Sequence, residues 1–442
     1  MEINTLKQLL KDAGVTGAGG AGFPSYAKLN TSVDTVILNC AECEPLLRVH
    51  RQLLSEYAYE IISTVSLICS VTGAKEFAIG IKEEYNLALS AAKEEIKNYK
   101  NGRISILREV YPAGDEDILT YEVTGRIVPP GGIPVDVGVI VYNVETVYNI
   151  YKAIKLKKNV THKYVTITGE VNSPKTLRVP LGTKFSELIK ACGGATVEDA
   201  CLIQGGPMTG RKASLNNTVT KTTNAVIVLP KEHYLISKRN QKITISIKRA
   251  LSACCQCKTC TELCPRNLLG HPISPADFMK SITSNIADTK ALLNTQYCSG
   301  CGVCEMYACP QGLSPAMLIG IYKSKLKPNG IEFTKLESPD NVREERTWRQ
   351  IPMSRLIGRL DIEKYNINAP LCEDDLKPNK VKISLSQSIG APSVTAVKIG
   401  DNVKTGDVIA KAEDNALSLP IHSSIDGTVT DITDSYIVIS NK

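Results

Sequence analysis

Apolar positions change period several times along the 442-residue chain, and each change marks an element. Within NTLKQLLKDAG, Leu6, Leu9, Leu10 and Val15 recur near helical spacing with Asn4 or Thr5 as the cap, which predicts a helix over residues 4 to 14. A run of glycines follows, then a short helical turn carrying Lys28, then TVILNC, a continuous apolar run of strand length. IISTVSLIC and VGVIVYNV are of strand or core-helix size, well short of the ~20 residues that cross a bilayer. From Tyr164, YVTITGEVNSPKTLRVP predicts a β-hairpin around N-S-P, followed by a short helix in FSELIKAC and a second glycine turn in CLIQGGPMTG. NIADTKALLNTQ reads as helix. Residues 336 to 378 are charged, contain prolines and the single Trp, and predict an irregular connector. The remainder is all β, with strand-Gly-Asp-strand units in VKIGDNVKTGDVIAKAE and then LPIHSSIDGTVTDITDSYIVIS.

A chain of this length holds three or four units at roughly 100–200 residues per domain. Its 43% apolar and 22% charged residues place it among soluble globular proteins, not disordered ones. The net charge of +7 is spread out, and the dense basic stretch KAIKLKKN has one aromatic neighbour, Tyr151. That stretch reads as a solvated face or linker, so no nucleic-acid partner is expected. MEINTLKQLL lacks the charged and apolar regions of an export signal, and a cytoplasmic location is expected. Thiols stay reduced there, so the fifteen cysteines call for metal or redox chemistry before disulfides.

Nine cysteines fall between Cys254 and Cys309, in two runs. CCQCKTCTELCP contains C-x2-C-x2-C-x3-C-P through Cys254, Cys257, Cys260 and Cys264, and CSGCGVCEMYACP gives C-x2-C-x2-C-x4-C-P through Cys298, Cys301, Cys304 and Cys309. Three thiolates at this spacing suit one face of a cubane cluster; zinc is the competing reading, but zinc sites pair two C-x2-C knuckles. In bacterial two-cluster ferredoxins the Cys before Pro ligates the other cluster. That pattern assigns Cys254, Cys257, Cys260 and Cys309 to cluster one, and Cys298, Cys301, Cys304 and Cys264 to cluster two, both [4Fe-4S]. Cys255 reads as a spare buried thiol. Helix between the motifs favours a helical ferredoxin module. Such clusters move single electrons, whereas NADH gives up a hydride, so a flavin is required between them.

GAGGAG at 17 to 22 spells the Rossmann fingerprint, with Glu42 at the distance expected of its acidic residue. A helix leads into it, however, and Phe23-Pro24 follows, which favours a backbone N–H cradle for a phosphate or flat ring; a merely tight glycine loop stays open. None of the five histidines has metal-ligand spacing, His271 and His422 reading as ordinary residues, and no hydrolase triad or Walker loop appears.

GAGGAGFP with Lys28, NCAECEP at 39 to 45, YPAGDE at 111 to 116 and YNVET at 142 to 146 occur in the order of the flavin motifs of the complex I 51-kDa NADH-binding subunit, and the chain resembles its RnfC/PduS-like relatives still more. The resemblance implies FMN lined by Gly17, Gly19, Gly20 and Gly22, with Lys28 on its phosphate. It implies Asn39, Glu42 and Gly114-Asp115-Glu116 on the ring or nicotinamide, and Asn143, Glu145 and Thr146 closing the phosphate side. Phe23 would stack on incoming NADH, so Phe23 and Glu116 are the candidate catalytic residues. Cys40 replaces the family's usual glycine, and with Cys43 forms a C-x-x-C that is either a redox pair or two inert thiols; PrdC-type proteins resemble this variant. The β-hairpin and helix after Tyr164 resemble an SLBB β-grasp domain, and the tail resembles a barrel-sandwich hybrid without the lysine of a carrier domain.

The expected architecture is multidomain α/β and α+β: a 51-kDa-type flavin domain (1–158), an SLBB β-grasp domain (159–240), a helical two-cluster ferredoxin domain (241–335), a connector (336–379) and a C-terminal barrel-sandwich hybrid (380–442). The expected activity is that of an NADH dehydrogenase-like electron-transfer protein, passing electrons from NADH through FMN and the clusters to a partner reductase. A proline reductase-type system is favoured. The alternatives are a PduS-type cobalamin reductase, acting on a corrinoid system in association with a microcompartment, and a passive relay that does not oxidise NADH. A homo-oligomer or larger complex without a transmembrane segment is expected.

Overall fold

The computed structural model describes residues 1–284, 288–374 and 376–441. The first helix, α1 (Ile3–Asp12), buries Leu6 and Leu10 as the periodicity requires. Its cap is Glu2, two residues before the nearer expected cap, Asn4, and it makes no side-chain capping bond. The glycine run and a one-turn helix, α2 (Ser25–Lys28), lead into a parallel sheet.

That sheet contains β1 (Thr35–Cys40), β2 (Glu76–Lys82), β3 (Gly102–Leu107) and, beyond the two-residue strand β4 (Val110–Tyr111), β5 (Val139–Asn143), in the order β3-β2-β1-β5. The helices between are α3 (Val49–Glu56), α4 (Ala58–Thr72), α5 (Asn86–Glu95) and α6 (Glu116–Thr124), with α7 (Val144–Lys155) after β5. TVILNC can be apolar throughout because both faces of β1 are covered: Val36 and Leu38 enter the core that includes α4 and α7, and Ile37 enters the one that includes α6. The strand order reverses between β1 and β5, and their C-terminal ends are where an open α/β sheet binds its ligand. The register places Asn39 directly beside Asn143 at that switch point.

The second sheet begins with the expected hairpin, β6 (His162–Gly169) and β7 (Lys175–Pro180), followed by α8 (Phe185–Ala191), β8 (Ala200–Gln204), β9 (Arg211–Ala213) and β10 (Ala225–Pro230). Helices α9 (Tyr234–Arg239) and α10 (Ile243–Ala253) then lead to the cysteine motifs, which lie among short helical segments. Of NIADTKALLNTQ, residues 285–287 lie outside the described residues; Thr289–Leu293 is helical and continues as a 3-10 turn.

Segment 336–379 is more than an irregular connector. Its β11 (Ile351–Pro352) pairs antiparallel with β4, and its β12 (Leu371–Cys372) pairs with β7 and becomes an edge of the second sheet. The tail folds as two facing sheets, one of four strands and one of three, around Val381, Ile383, Ile409, Ile421, Ile437 and Ile439. It lies against the rest of the protein: Lys382 N donates to Gly182 O, Ser424 Oγ to Leu181 O and Ile389 N to Gly22 O.

The first two sheets share a buried ion pair. Lys163 at the start of β6 contacts Glu145 at the start of α7, with side chains 1% and 0% exposed, and Tyr164 N donates to the same carboxylate at 3.1 Å. Removing one partner strands a charge in the interior. Lys163→Met is therefore expected to cost about 3–5 kcal/mol in chemical denaturation, and adding Glu145→Leu to recover most of that loss.

Candidate functional site

The glycine loop is a closed hairpin pinned to α7. Gly17 N donates to Phe23 O at 2.9 Å, and Thr16 Oγ1 to Gly22 O at 2.7 Å. Asn143 caps α7, its Oδ1 accepting from Thr146 N and from Thr146 Oγ1. Thr146 Oγ1 in turn accepts from Ala18 N at 2.9 Å. The N-terminus of a twelve-residue helix is thus held against the loop, and its unsatisfied amides and dipole favour an anion there. Gly19, Gly20 and Ala21 are exposed, and among the described residues nothing accepts from the amides of Gly19 and Ala21. A Cβ on Gly19 would lie 2.5 Å from Asn143 Nδ2 and 2.9 Å from His50 Cε1, whereas one on Gly20 would meet nothing. Close approach to Asn143 therefore requires Gly19, and the loop has the exposed donors and open space that a phosphate and flat ring need.

Lys28 stands at this site with its Nζ 2.8 Å from Glu116 Oε1 and 3.2 Å from Val141 O. Glu116 is about half exposed, so the pair is worth about 0–1 kcal/mol and can open to release the cation to a phosphate. Asn39 is committed to shape: its Nδ2 donates to Gly114 O and its Oδ1 accepts from Ala41 N. Gly114 packs so tightly that a Cβ would sit 3.0 Å from Cys43 Sγ. Phe23 is partly buried at the hairpin's closing end.

Three acidic residues expected on the cofactor are already engaged by protein groups. Glu42 accepts from His50 N at 2.9 Å, at the start of α3, and from Arg51 Nε at 2.9 Å. Burial works to raise its pKa, but the charges of Arg51 and His50 and the donated hydrogen bonds outweigh it and hold it below the usual carboxylate value. Glu145 pairs with Lys163, and Asp115 caps α6 while meeting Arg266 at 2.9 Å. These side chains hold the loops in place instead of presenting free oxygens. Cys40 and Cys43 are free thiols whose pKa values burial pushes up, that of Cys43 to about 12, and Cys43 Sγ accepts from Gly114 N. At neutral pH both remain thiols, which supports the inert reading over a redox pair.

The eight motif cysteines line two separate cavities, divided as the ferredoxin pattern implies. Cys254, Cys257, Cys260 and Cys309 line one of about 130 Å³; Cys264, Cys298, Cys301 and Cys304 line the other. The C-x4-C-P spacing therefore still brings Cys309 to the first quartet. Backbone conformation repeats with it: φ is positive at Gln256 and Lys258 in the first motif and at Gly300 and Gly302, at the same offsets, in the second. Cys255, expected to be buried, is exposed. His271 is buried, its Nε2 donating to Val128 O at 2.9 Å, and burial lowers its pKa to about 4.

Residues not singled out from the sequence join the second cavity to the flavin-type loops. Tyr111 OH donates to Cys301 O at 2.7 Å. Arg266, two residues after Cys264, pairs with Asp115 and Asp117 at the start of α6. Glu44 reaches into the GPMTG turn, accepting from Met208 N, Thr209 N and Thr209 Oγ1; a Cβ on Gly206 would overlap its carboxylate. Tyr111 and Glu44 lay inside quoted motifs, and Arg266 directly follows C-P, but only the fold reveals their partners.

Fold and sites together define a flavin- and iron–sulfur-dependent electron-transfer protein. Residues 10–152 match the Nuo51 FMN-binding domain, 164–212 the SLBB domain, 253–314 a 4Fe-4S dicluster domain and 363–442 the RnfC barrel sandwich hybrid domain. The cobalamin reductase PduS of Citrobacter freundii is 41% identical over 441 residues, covering 99% of this chain and 97% of that protein. PduS of Salmonella typhimurium (strain LT2) is 40% identical with the same coverage. A component of the Na(+)-translocating ferredoxin:NAD(+) oxidoreductase complex of Acetobacterium woodii is 31% identical over 284 residues, 63% of this chain and 61% of that one. The chain belongs to the RnfC/PduS family. Among the described residues no helix is long and apolar enough to cross a membrane.

Gly19→Ala is expected to remove FMN while leaving iron content unchanged, read from flavin absorbance and iron analysis of one preparation. Cys264→Ser is expected to remove the cluster held by Cys298, Cys301 and Cys304, and Cys309→Ser the other, each leaving about half the iron and one of two EPR signals. Loss of the sequence-adjacent cluster instead would refute the crossed assignment.

Proposed function

We propose that the protein oxidises NADH at the glycine loop and sends the electrons through cluster two, then cluster one, to a corrinoid-reducing system. The observation that carries this order is the brace of Tyr111 and Arg266 between the cavity of Cys264, Cys298, Cys301 and Cys304 and the YPAGDE loop. FMN, when bound, takes the electron pair from NADH and releases it one electron at a time. Gly17, Gly19, Gly20 and Gly22 with the start of α7 cradle the phosphate side, and Lys28 supplies the cation. Asn39, Gly114, Asn143 and Thr146 fix the loop geometry. Glu42, Asp115 and Glu145 act from behind as positioning residues. Phe23 and Glu116 are the residues that would meet the nicotinamide.

On the acceptor, the relatives favour the alternative over the proline reductase-type system. Two proteins named cobalamin reductase align over nearly their whole length and all four domain families, including the C-terminal hybrid. A microcompartment-associated setting and a protein partner follow from this reading.

Anaerobically reconstituted protein is expected to lose its visible flavin band on adding NADH and to recover it when cob(III)alamin is supplied, with NADH consumed. A flavin that stays oxidised under NADH removes the dehydrogenase reading; one that bleaches but leaves the corrinoid spectrum unchanged removes only the acceptor. Lys28→Ala is expected to weaken FMN binding by about 1.5–3 kcal/mol, roughly ten- to a hundredfold, as for a lost charge-assisted contact to phosphate.

A further inference from the structure

Helix α10 runs into the cluster-one loop, ending at Cys254, and buries only Ser246 and Ala250. The rest of its surface exposes Ile243, Ile245, Ile247 and Leu251, at 47%, 48%, 39% and 56%. Single exposed aliphatics are ordinary, but Ile243, Ile247 and Leu251, at i, i+4 and i+8, form a continuous apolar strip with no partner within the chain's described residues, while Ile245 lies on the other side of the helix among the cations. Cations frame it. From His233 to Thr261 the sequence has six Lys and Arg and no Asp or Glu. Lys242, Lys248 and Arg249 are exposed on α10 or at its start, and Lys242 and Arg249 also line, with Lys231 and Glu232, an open cleft of about 660 Å³. Cys255, Gln256 and Cys257 are exposed on the adjoining loop, and of the eight motif cysteines Cys257 is the exposed one, those of the other quartet being buried or partly buried. Cluster one is therefore the one with an exposed ligand thiol, and that thiol lies beside this face.

We propose that the exposed side of α10 and the cluster-one rim form the docking surface for a protein electron acceptor with an acidic border around an apolar centre. The inference rests on the reading that electrons leave through cluster one. The aliphatic patch supplies the dry centre of such an interface, and Lys242, Lys248 and Arg249 steer the acidic partner onto it. An anionic lipid surface would match the charge, but would seat the cluster rim against headgroups that accept no electrons.

The test uses full-length protein carrying FMN and both clusters, reduced with dithionite, freed of excess reductant and mixed with oxidised flavodoxin, an acidic carrier that takes one electron per encounter. The charge-reversal variant Lys242→Glu/Lys248→Glu/Arg249→Glu and the apolar variant Ile247→Ser/Leu251→Ser are each expected to donate about tenfold more slowly at low ionic strength. Salt at about 0.5 M should slow the wild type similarly, while oxidation by ferricyanide stays within about twofold in every protein. Transfer to flavodoxin at the wild-type rate in both variants overturns the proposal. So does a loss matched with ferricyanide, since it then lies in the clusters and not in docking. Co-sedimentation with phosphatidylglycerol vesicles that Ile247→Ser/Leu251→Ser abolishes, with flavodoxin transfer unchanged, assigns the face to lipid and also overturns it. Because the donor is loaded chemically, failure of NADH oxidation leaves this result readable.

Discussion

A hydroxyl and a guanidinium hold the two redox halves of this protein in register. Tyr111 reaches the carbonyl of Cys301, and Arg266 clasps the acids that open α6. Around them lies an apolar core to which each neighbouring unit contributes: Leu46, Tyr111, Ile203, Leu229, Val303 and Met306 among others. Electron transfer demands a fixed distance between cofactors. A seam closed by buried polar contacts inside a packed core cannot slide without leaving a donor or charge unsatisfied. The second sheet serves the same end, since Glu44 enters its GPMTG turn and Glu145 is matched by Lys163.

This arrangement explains why acidic residues in flavin-type motifs need not touch a cofactor. Glu42 organises the start of α3, Asp115 caps α6 and Glu145 bridges two sheets. The motif places each acid near the site, but its partner decides whether it binds or braces. Lys28 and Glu116, by contrast, form a weak, partly exposed pair that separates readily.

Local signals carried much of this in the sequence. The apolar periods located α1, β1, the hairpin and α8, and the cysteine grammar divided the eight thiols into the two quartets that line the cavities. Non-local signals did not. β11 and β12 are two residues each and take their identity from strands more than 190 positions away, so a charged, proline-containing segment read as connector when it was an edge of two sheets. The exposure of Cys255 was equally hidden, because spacing reports which thiols can share a cluster and not which way a loop faces.

The bond from Ile389 to Gly22 joins the opening loop of the protein to its last domain, and Thr222 and Ser388 both stand against the same glycine. The wall that Ser388 and Ile389 supply comes from more than 360 positions along the chain, so the shape of the cradle depends on how the hybrid domain is seated, and a shift of that domain would be felt at the glycine loop.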